Sequence, residues 1–301
     1  MRTFFVALAE EGAALRQAVG PAPRIFVLSG LMAGDATLCA EHDLLPCLNS
    51  PAQVAVAAAL GPGRCAVQLD SGMNRLGLEA DELAAVAAPL GALAPVLVLS
   101  HLACGGDPDH PRNDAQRREL AALAAALPGV PWSLAATGGI LLGPDFHGAL
   151  TRPGIGLFGG APFAAVRPVV RLALPVIQVR DVAPGERVGY GDAWTAARPS
   201  RIATVAAGYA DGLLWRLGAG GARLHAGEVA VPIVGRVSMD LITADVTDLA
   251  VVPDELEILN DHQTIDDLAD VAGTIGYEIL TSLGPRYERV YKSAAAQPGP
   301  A

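Results

Sequence analysis

Arg152 is followed by Gly154-x-Gly156-x-x-Gly159, inside the stretch Thr151-Arg152-Pro153-Gly154-Ile155-Gly156-Leu157-Phe158-Gly159-Gly160. Glycines so spaced let a ligand approach the backbone, whose N–H groups can cradle a phosphate. The spacing is formally a dinucleotide fingerprint. Pro162 and Pro168 break the helix that should follow, which excludes a Rossmann unit. A tight crossover between two domains accounts for the glycines equally well.

Five other clusters hold residue types that could do chemistry. Asp70-Ser71-Gly72-Met73-Asn74-Arg75-Leu76-Gly77 follows an apolar run, and Arg75 could grip a carboxylate through two parallel N–H bonds. His101 ends another apolar run and could relay a proton or orient a neighbour. Tyr190 lies in Gly189-Tyr190-Gly191 and Tyr209 in Gly208-Tyr209-Ala210-Asp211-Gly212, where small neighbours leave a phenol accessible. Gly235-Arg236-Val237-Ser238-Met239-Asp240 is a further polar cluster after a strand. A solvated loop arginine, a structural histidine and ordinary turn tyrosines fit the same spacings. No HExxH, Walker or Cys/His metal spacing occurs, so no metal is expected.

The elements that must position these residues fall into two textures. Short apolar runs, Phe4–Ala7, Arg24–Ser29, Leu45–Asn49, Ala66–Asp70, Val96–His101, Trp132–Ala136 and Ala149–Arg152, alternate with Ala/Leu-rich helical stretches. That alternation predicts parallel strands covered by helices, buried on both faces. Asp70, Arg75, His101, Thr137 and Arg152 all follow strand ends, the rim where a βα-barrel keeps its chemistry. A closed barrel needs eight strands and seven are expected here. From Val169 the pattern turns to Val-rich alternation, with a hairpin turn expected at Ala226-Gly227 and a helix from Thr264 to Ala272. The expected fold is therefore α/β: an incomplete TIM-type (β/α) barrel over residues 1–166, then a mostly antiparallel β domain over 167–292. An Ala/Pro/Gly tail, 293–301, is expected to be disordered.

A formal net charge of -10 argues against a nucleic-acid partner, whose binding faces are basic. Leu83–Leu99 is the longest weakly charged stretch, but Pro89, Gly91 and Pro95 interrupt it, so no membrane span is expected. Cys39, Cys47, Cys65 and Cys104 show no paired spacing, and with no signal peptide they point to reduced thiols in the cytoplasm.

Taken together and in order, seven segments resemble the alanine racemase family. They are Thr3–Ala7 with Glu10-Glu11-Gly12, Leu69–Gly77, Ser100–Ala103, Arg152–Ile155, Gly189–Gly191, Gly208–Gly212 and Gly235–Asp240. The resemblance extends to Tyr291. It implies a pyridoxal-phosphate barrel enzyme with a C-terminal β domain, working as a homodimer that interconverts L-alanine and D-alanine for cell-wall precursors. Arg152 resembles the arginine facing the pyridine nitrogen. A guanidinium there keeps the nitrogen unprotonated and favours simple proton return over side reactions. Tyr190 resembles the phenol that exchanges the α-proton of L-alanine at the partner subunit's cofactor, with a lowered pKa. His101 would be bonded between Tyr190 and Arg152. Arg75 resembles the arginine that holds the substrate carboxylate, and Met239 would line the substrate pocket with Tyr209 and Asp240 nearby. Thr137, Gly154 and Ile155 resemble phosphate contacts, the last two through backbone N–H.

Three departures accompany the resemblance. The family's second base is a lysine in a Lys-Ala-x-Ala-Tyr-Gly context that also bonds the cofactor. The one lysine here is Lys292, in no such context. The first βα unit is therefore expected to be missing, and the 301 residues alone are expected not to racemise alanine. Gln68 stands where many members carry a carbamylated lysine, and Ala136 where asparagine is frequent. The competing readings are a non-catalytic relative acting as a binding or regulatory subunit, a racemase of broader specificity, and another barrel enzyme using the same cofactor.

Overall fold

The computed structural model describes residues 2–163, 165, 167–218 and 221–292. The chain divides into two compact units between Gly154 and Ile155, inside the glycine-rich seam. The expected tail, 293–301, lies outside the described residues.

In the N-terminal unit six parallel strands stand in sequence order: β1 (Thr3–Val6), β2 (Arg24–Val27), β3 (Leu44–Leu48), β4 (Arg64–Gln68), β5 (Ala94–Leu99) and β6 (Trp132–Ser133). The crossovers carry α1 (Ala9–Val19), α2 (Asp35–Glu41), α3 (Pro51–Leu60), α4 (Ala80–Ala85), α5 (Ala87–Ala92) and α6 (Arg112–Ala124), and α7 (Thr137–Leu141) follows β6. Neighbours in sequence are neighbours in space, which is the arrangement of part of a βα-barrel. Alternate side chains on each strand pack on opposite faces. Ile25, Val27, Leu48, Val67 and Val98 meet the helices. Phe26, Leu45, Cys47, Ala66, Leu97 and Leu99 form a second cluster on the other face. Burial on both sides is why these strands read as unbroken apolar runs. Helix starts follow local signals: the Ser50 hydroxyl accepts from the Gln53 N–H at 3.3 Å, with Pro51 in the first turn of α3.

The expected seventh strand forms only as an isolated parallel bridge, Ala136 to Arg152. Pro153 follows at once and offers no N–H to extend a ladder.

In the C-terminal unit a six-stranded sheet runs β12-β11-β14-β7-β10-β13, every pairing antiparallel. The strands are β7 (Leu172–Val182), β10 (Ser200–Val205), β11 (Arg223–Ala226), β12 (Val229–Pro232), β13 (Ile242–Asp245) and β14 (Glu255–Leu259). A separate hairpin pairs β8 (Arg187–Val188) with β9 (Trp194–Thr195). The β11–β12 turn sits at Gly227-Glu228, one residue beyond the expected pair, because Ala226 already pairs with Val229. Helix α8 (Ile265–Ala272) is capped by Thr264, whose hydroxyl accepts from the Asp267 N–H at 3.2 Å. Helix α9 (Gly276–Ser282) had no counterpart in the sequence reading. No helix among the described residues is long and apolar enough to cross a membrane.

Candidate active site

Arg152 is the best-anchored of the candidate side chains of the N-terminal unit. Its Nη1 donates to Ser133 Oγ at 2.5 Å, and its Nη2 donates to the Ser100 carbonyl at 2.6 Å and the Leu134 carbonyl at 3.3 Å. Its guanidinium lies 5.8 Å from the centre of the Phe5 ring, itself stacked on Phe26. Strands β1, β5 and β6 thus hold one cation from three sides. Among the described residues no carboxylate pairs with it, and its Nε–H has no acceptor. Burial lowers its pKa to about 10, so it remains a cation at neutral pH.

His101, just past β5, lies within reach of two guanidinium charges. Burial first, then Arg152, then Arg75, lower its pKa to about 4. At neutral pH the ring is uncharged. Among the described residues it forms no hydrogen bond with Arg152, whose Nη1 and Nη2 donate to Ser133 and two carbonyls.

Arg75 is exposed on a closed loop. The Asp70 carboxylate accepts from the N–H groups of Gly72 and Met73, both at 2.7 Å. Leu78 N–H donates to the Gln68 carbonyl and Asp70 N–H to the Leu78 carbonyl, at 2.9 and 3.0 Å. Gly77 closes the loop at φ +120°, where a Cβ would stand 2.6 Å from Asp70 N. Thr137, at the start of α7, accepts from Gly154 N–H through Oγ1 at 3.0 Å. Arg75, His101, Arg152, Thr137 and Gly154 therefore belong to one constellation within this unit.

Ile155 begins the C-terminal unit, and its N–H donates to the Tyr277 hydroxyl at 3.3 Å. Tyr277 is a residue the sequence reading missed. No local signal in the sequence marks it, since it meets Ile155 across 122 positions. Tyr190 sits at the tip of the β8–β9 hairpin and is 71% exposed. That tip lies against Gly235-Arg236: a Cβ at Gly191 would stand 3.2 Å from the Arg236 guanidinium. The Tyr209 turn is stitched to the Met239 turn by backbone bonds. Tyr209 N–H donates to the Ser238 carbonyl at 3.0 Å and Ala210 N–H to the Met239 carbonyl at 2.9 Å. The segment 235–240 thus serves both tyrosine turns. Tyr209 and Met239 are 45% and 53% exposed.

A cavity of about 390 Å³ lies elsewhere in this unit, lined by Arg171, His225, Glu257 and Asn260 among others. It contains none of the expected residues. No group of three side chains among the described residues could hold a metal ion.

A partial βα-barrel with cationic and hydroxyl groups at its strand ends, followed by an antiparallel domain carrying exposed tyrosines, defines a class of two-domain barrel enzyme. Residues 1–162 match the model of the alanine racemase N-terminal domain, and 169–291 that of the alanine racemase C-terminal domain. An alanine racemase of Cereibacter sphaeroides is 59% identical over 296 residues, 98% of this chain and 84% of that protein. A catabolic alanine racemase of Agrobacterium fabrum is 46% identical over the whole chain and 81% of its own length. The crystal structure of the Bartonella henselae alanine racemase, with covalently bound pyridoxal phosphate, superposes with a TM-score of 0.89. It is 35% identical and covers 97% of this chain and 85% of that one. The chain belongs to the alanine racemase family, isomerases that depend on pyridoxal phosphate.

The residues fit that cofactor. A pyridine nitrogen accepts one hydrogen bond, and Arg152 offers a permanently protonated Nε–H without a competing carboxylate.

Proposed function

We propose that the protein interconverts L-alanine and D-alanine, with Tyr190 as one of two bases and with active sites shared between two copies of the chain. The observation that carries this reading is the carboxylate-free, triply anchored Arg152 beside a neutral His101. Pyridoxal phosphate, when bound, supplies the electron sink that makes the α-hydrogen of alanine acidic. Residues 1–166 would hold it: Arg152 would face the ring nitrogen, and Thr137, with the backbone of Gly154 and Ile155, would hold the phosphate. Tyr277 is a further hydroxyl at the Ile155 N–H. Arg75 takes the substrate carboxylate on its closed loop. Met239, Tyr209 and Asp240 bound the substrate pocket from the β domain, 167–292, of the partner.

Tyr190 stands 71% exposed at a hairpin tip, a placement suited to reaching a second copy. Its Oη removes or returns the α-proton on one face of the substrate. The matching base in the family is a lysine, and Lys292, the one lysine of these 301 residues, is in no matching context. We assign the protein to the cytoplasm on its four free cysteines, and to D-alanine supply for the cell wall.

The test is complementation across subunits. The chain is mixed with the Cereibacter relative whose own counterpart of Tyr190 has been changed to phenylalanine, and D-alanine is followed by chiral chromatography. Mixing should restore activity, and Tyr190→Phe in this chain should abolish the restoration. Binding of the cofactor without any restored racemisation would favour the non-catalytic subunit instead.

A further inference from the structure

The Gly208–Gly212 turn and the Gly235–Asp240 segment are joined by more than the two backbone bonds. Asp211 is buried, 5% exposed, in a sheet domain where an isolated carboxylate would be costly. One of its oxygens, Oδ2, accepts from the Gly208 N–H at 2.9 Å and closes the Tyr209 turn. The other, Oδ1, faces Arg286 Nη1 at 3.4 Å. The same Nη1 donates to Asp240 Oδ1 at 2.6 Å. Asp240 is adjacent to Met239, whose carbonyl receives the Ala210 N–H. Gly208 fits between these parts only without a side chain, since a Cβ would run into the carbonyl oxygens of Ser238 and Met239.

We infer that Arg286 is a positioning residue: by bridging Asp211 and Asp240 it fixes the Ser238–Leu241 turn and so sets where Met239 stands beside Tyr209. The inference rests on the proposed placement of Met239 in the substrate pocket. The plain alternative is a solvated ion pair. Arg286 and Asp240 are both more than half exposed, and such a pair adds little stability. Two features separate the bridge from an ordinary surface pair. It shares its cation with a buried carboxylate, and both carboxylates sit in turns already locked to each other by backbone bonds. The chain order also matters. Arg286 lies past α9, so the segment after the last helix is what pins the two turns.

Two measurements decide it. In amide hydrogen exchange on the full chain, Arg286→Ala should speed exchange at Tyr209 and Ala210, whose N–H groups depend on the Ser238–Leu241 turn. Exchange at Ile202–Val205 in β10 should stay as in the wild type. Arg286→Lys should restore part of the protection, since an ammonium can reach two carboxylates without matching the guanidinium geometry. In the complementation assay Arg286→Ala should raise KM for alanine about tenfold while kcat changes less than about twofold, as for loss of ground-state placement. Unchanged protection at Tyr209 and Ala210 would overturn the inference. Slowed racemisation at unchanged KM would equally overturn it. Failure of the wild-type assay would count against the racemase reading, and the exchange pattern would then judge the bridge by itself.

Discussion

In the N-terminal unit Arg152 is held by another side chain and two carbonyls, whereas in the C-terminal unit Tyr190, Tyr209 and Met239 stand on turns held by their backbones. Arg152 spends two nitrogens on Ser133, Ser100 and Leu134, and packs over Phe5. Tyr190, by contrast, projects from a hairpin tip. Tyr209 and Met239 are likewise presented outward while their main chains are tied to each other. The difference follows from the sheets. Parallel strands buried on both faces leave only their ends for polar groups, and those ends are half-enclosed, so polar groups there must satisfy one another. Antiparallel strands with tight turns can offer a side chain to solvent, or to a second copy of the chain, at no burial cost. The first unit is therefore expected to couple function to stability, and the second to separate them.

The largest test of that contrast is Tyr190→Phe. Removing one exposed hydroxyl should cost ~10²–10⁴-fold in racemisation, the usual share of a general acid–base group. The urea midpoint should not move, because the hydroxyl makes no hydrogen bond among the described residues. A shift in midpoint comparable to a core substitution would erase the distinction between the two units.

Arg152→Leu should do both kinds of damage. It strips a charged donor from Ser133 and two carbonyls, and hydrogen bonds to a charged group are worth ~1.5–3 kcal/mol each before relaxation. A net loss of about 2–4 kcal/mol from the N-terminal unit is expected, together with loss of activity. Denaturant unfolding of the variant checks the first part. Stability within about 0.5 kcal/mol of wild type would mean that water replaces the lost donor and that the anchoring is incidental.

Much of this arrangement was legible in the residue order. The unbroken apolar runs, the Ser50-Pro51 start and the Thr264 cap all carry short-range signals that outlast any tertiary context. The alternation of strand and helix pointed to the parallel class, and the small residues flanking Tyr190 and Tyr209 to accessible phenols. Other features carry no local signal. Ser133 and Ser100 are unremarkable in sequence and become anchors only when β5 and β6 lie side by side. Tyr277 meets Ile155 across 122 positions and Arg286 meets Asp211 across 75. Such pairs are set by topology, so periodicity and spacing do not register them. Ala149–Arg152 has the composition of a seventh strand but forms only one bridge, Ala136 to Arg152.

The smallest effect is a pH dependence confined to the N-terminal unit. In the folded chain His101 is held near a pKa of about 4 by burial and by the charges of Arg152 and Arg75, against its ordinary value of 6.5. Above pH 6.5 both folded and unfolded chains carry a neutral ring, and its contribution to stability is fully present. As pH falls from 6.5 toward 4 the unfolded chain takes up a proton that the folded chain refuses, so stability falls across that window. The loss attributable to this ring is at most about 3 kcal/mol, and less to the extent that solvent reaches the partly exposed imidazole. Trp132 lies on β6, so its fluorescence, with Trp194 and Trp215 changed to Phe, follows unfolding of this unit alone. Urea midpoints of this protein and of its His101→Gln form should converge as pH drops from 7 to 4.5 if the glutamine is the weaker fold at neutrality. In either case the slope against pH should be steeper with histidine. Parallel slopes would show that His101 takes its proton in the folded chain at the ordinary pH, and that the Arg152 and Arg75 charges do not hold it neutral.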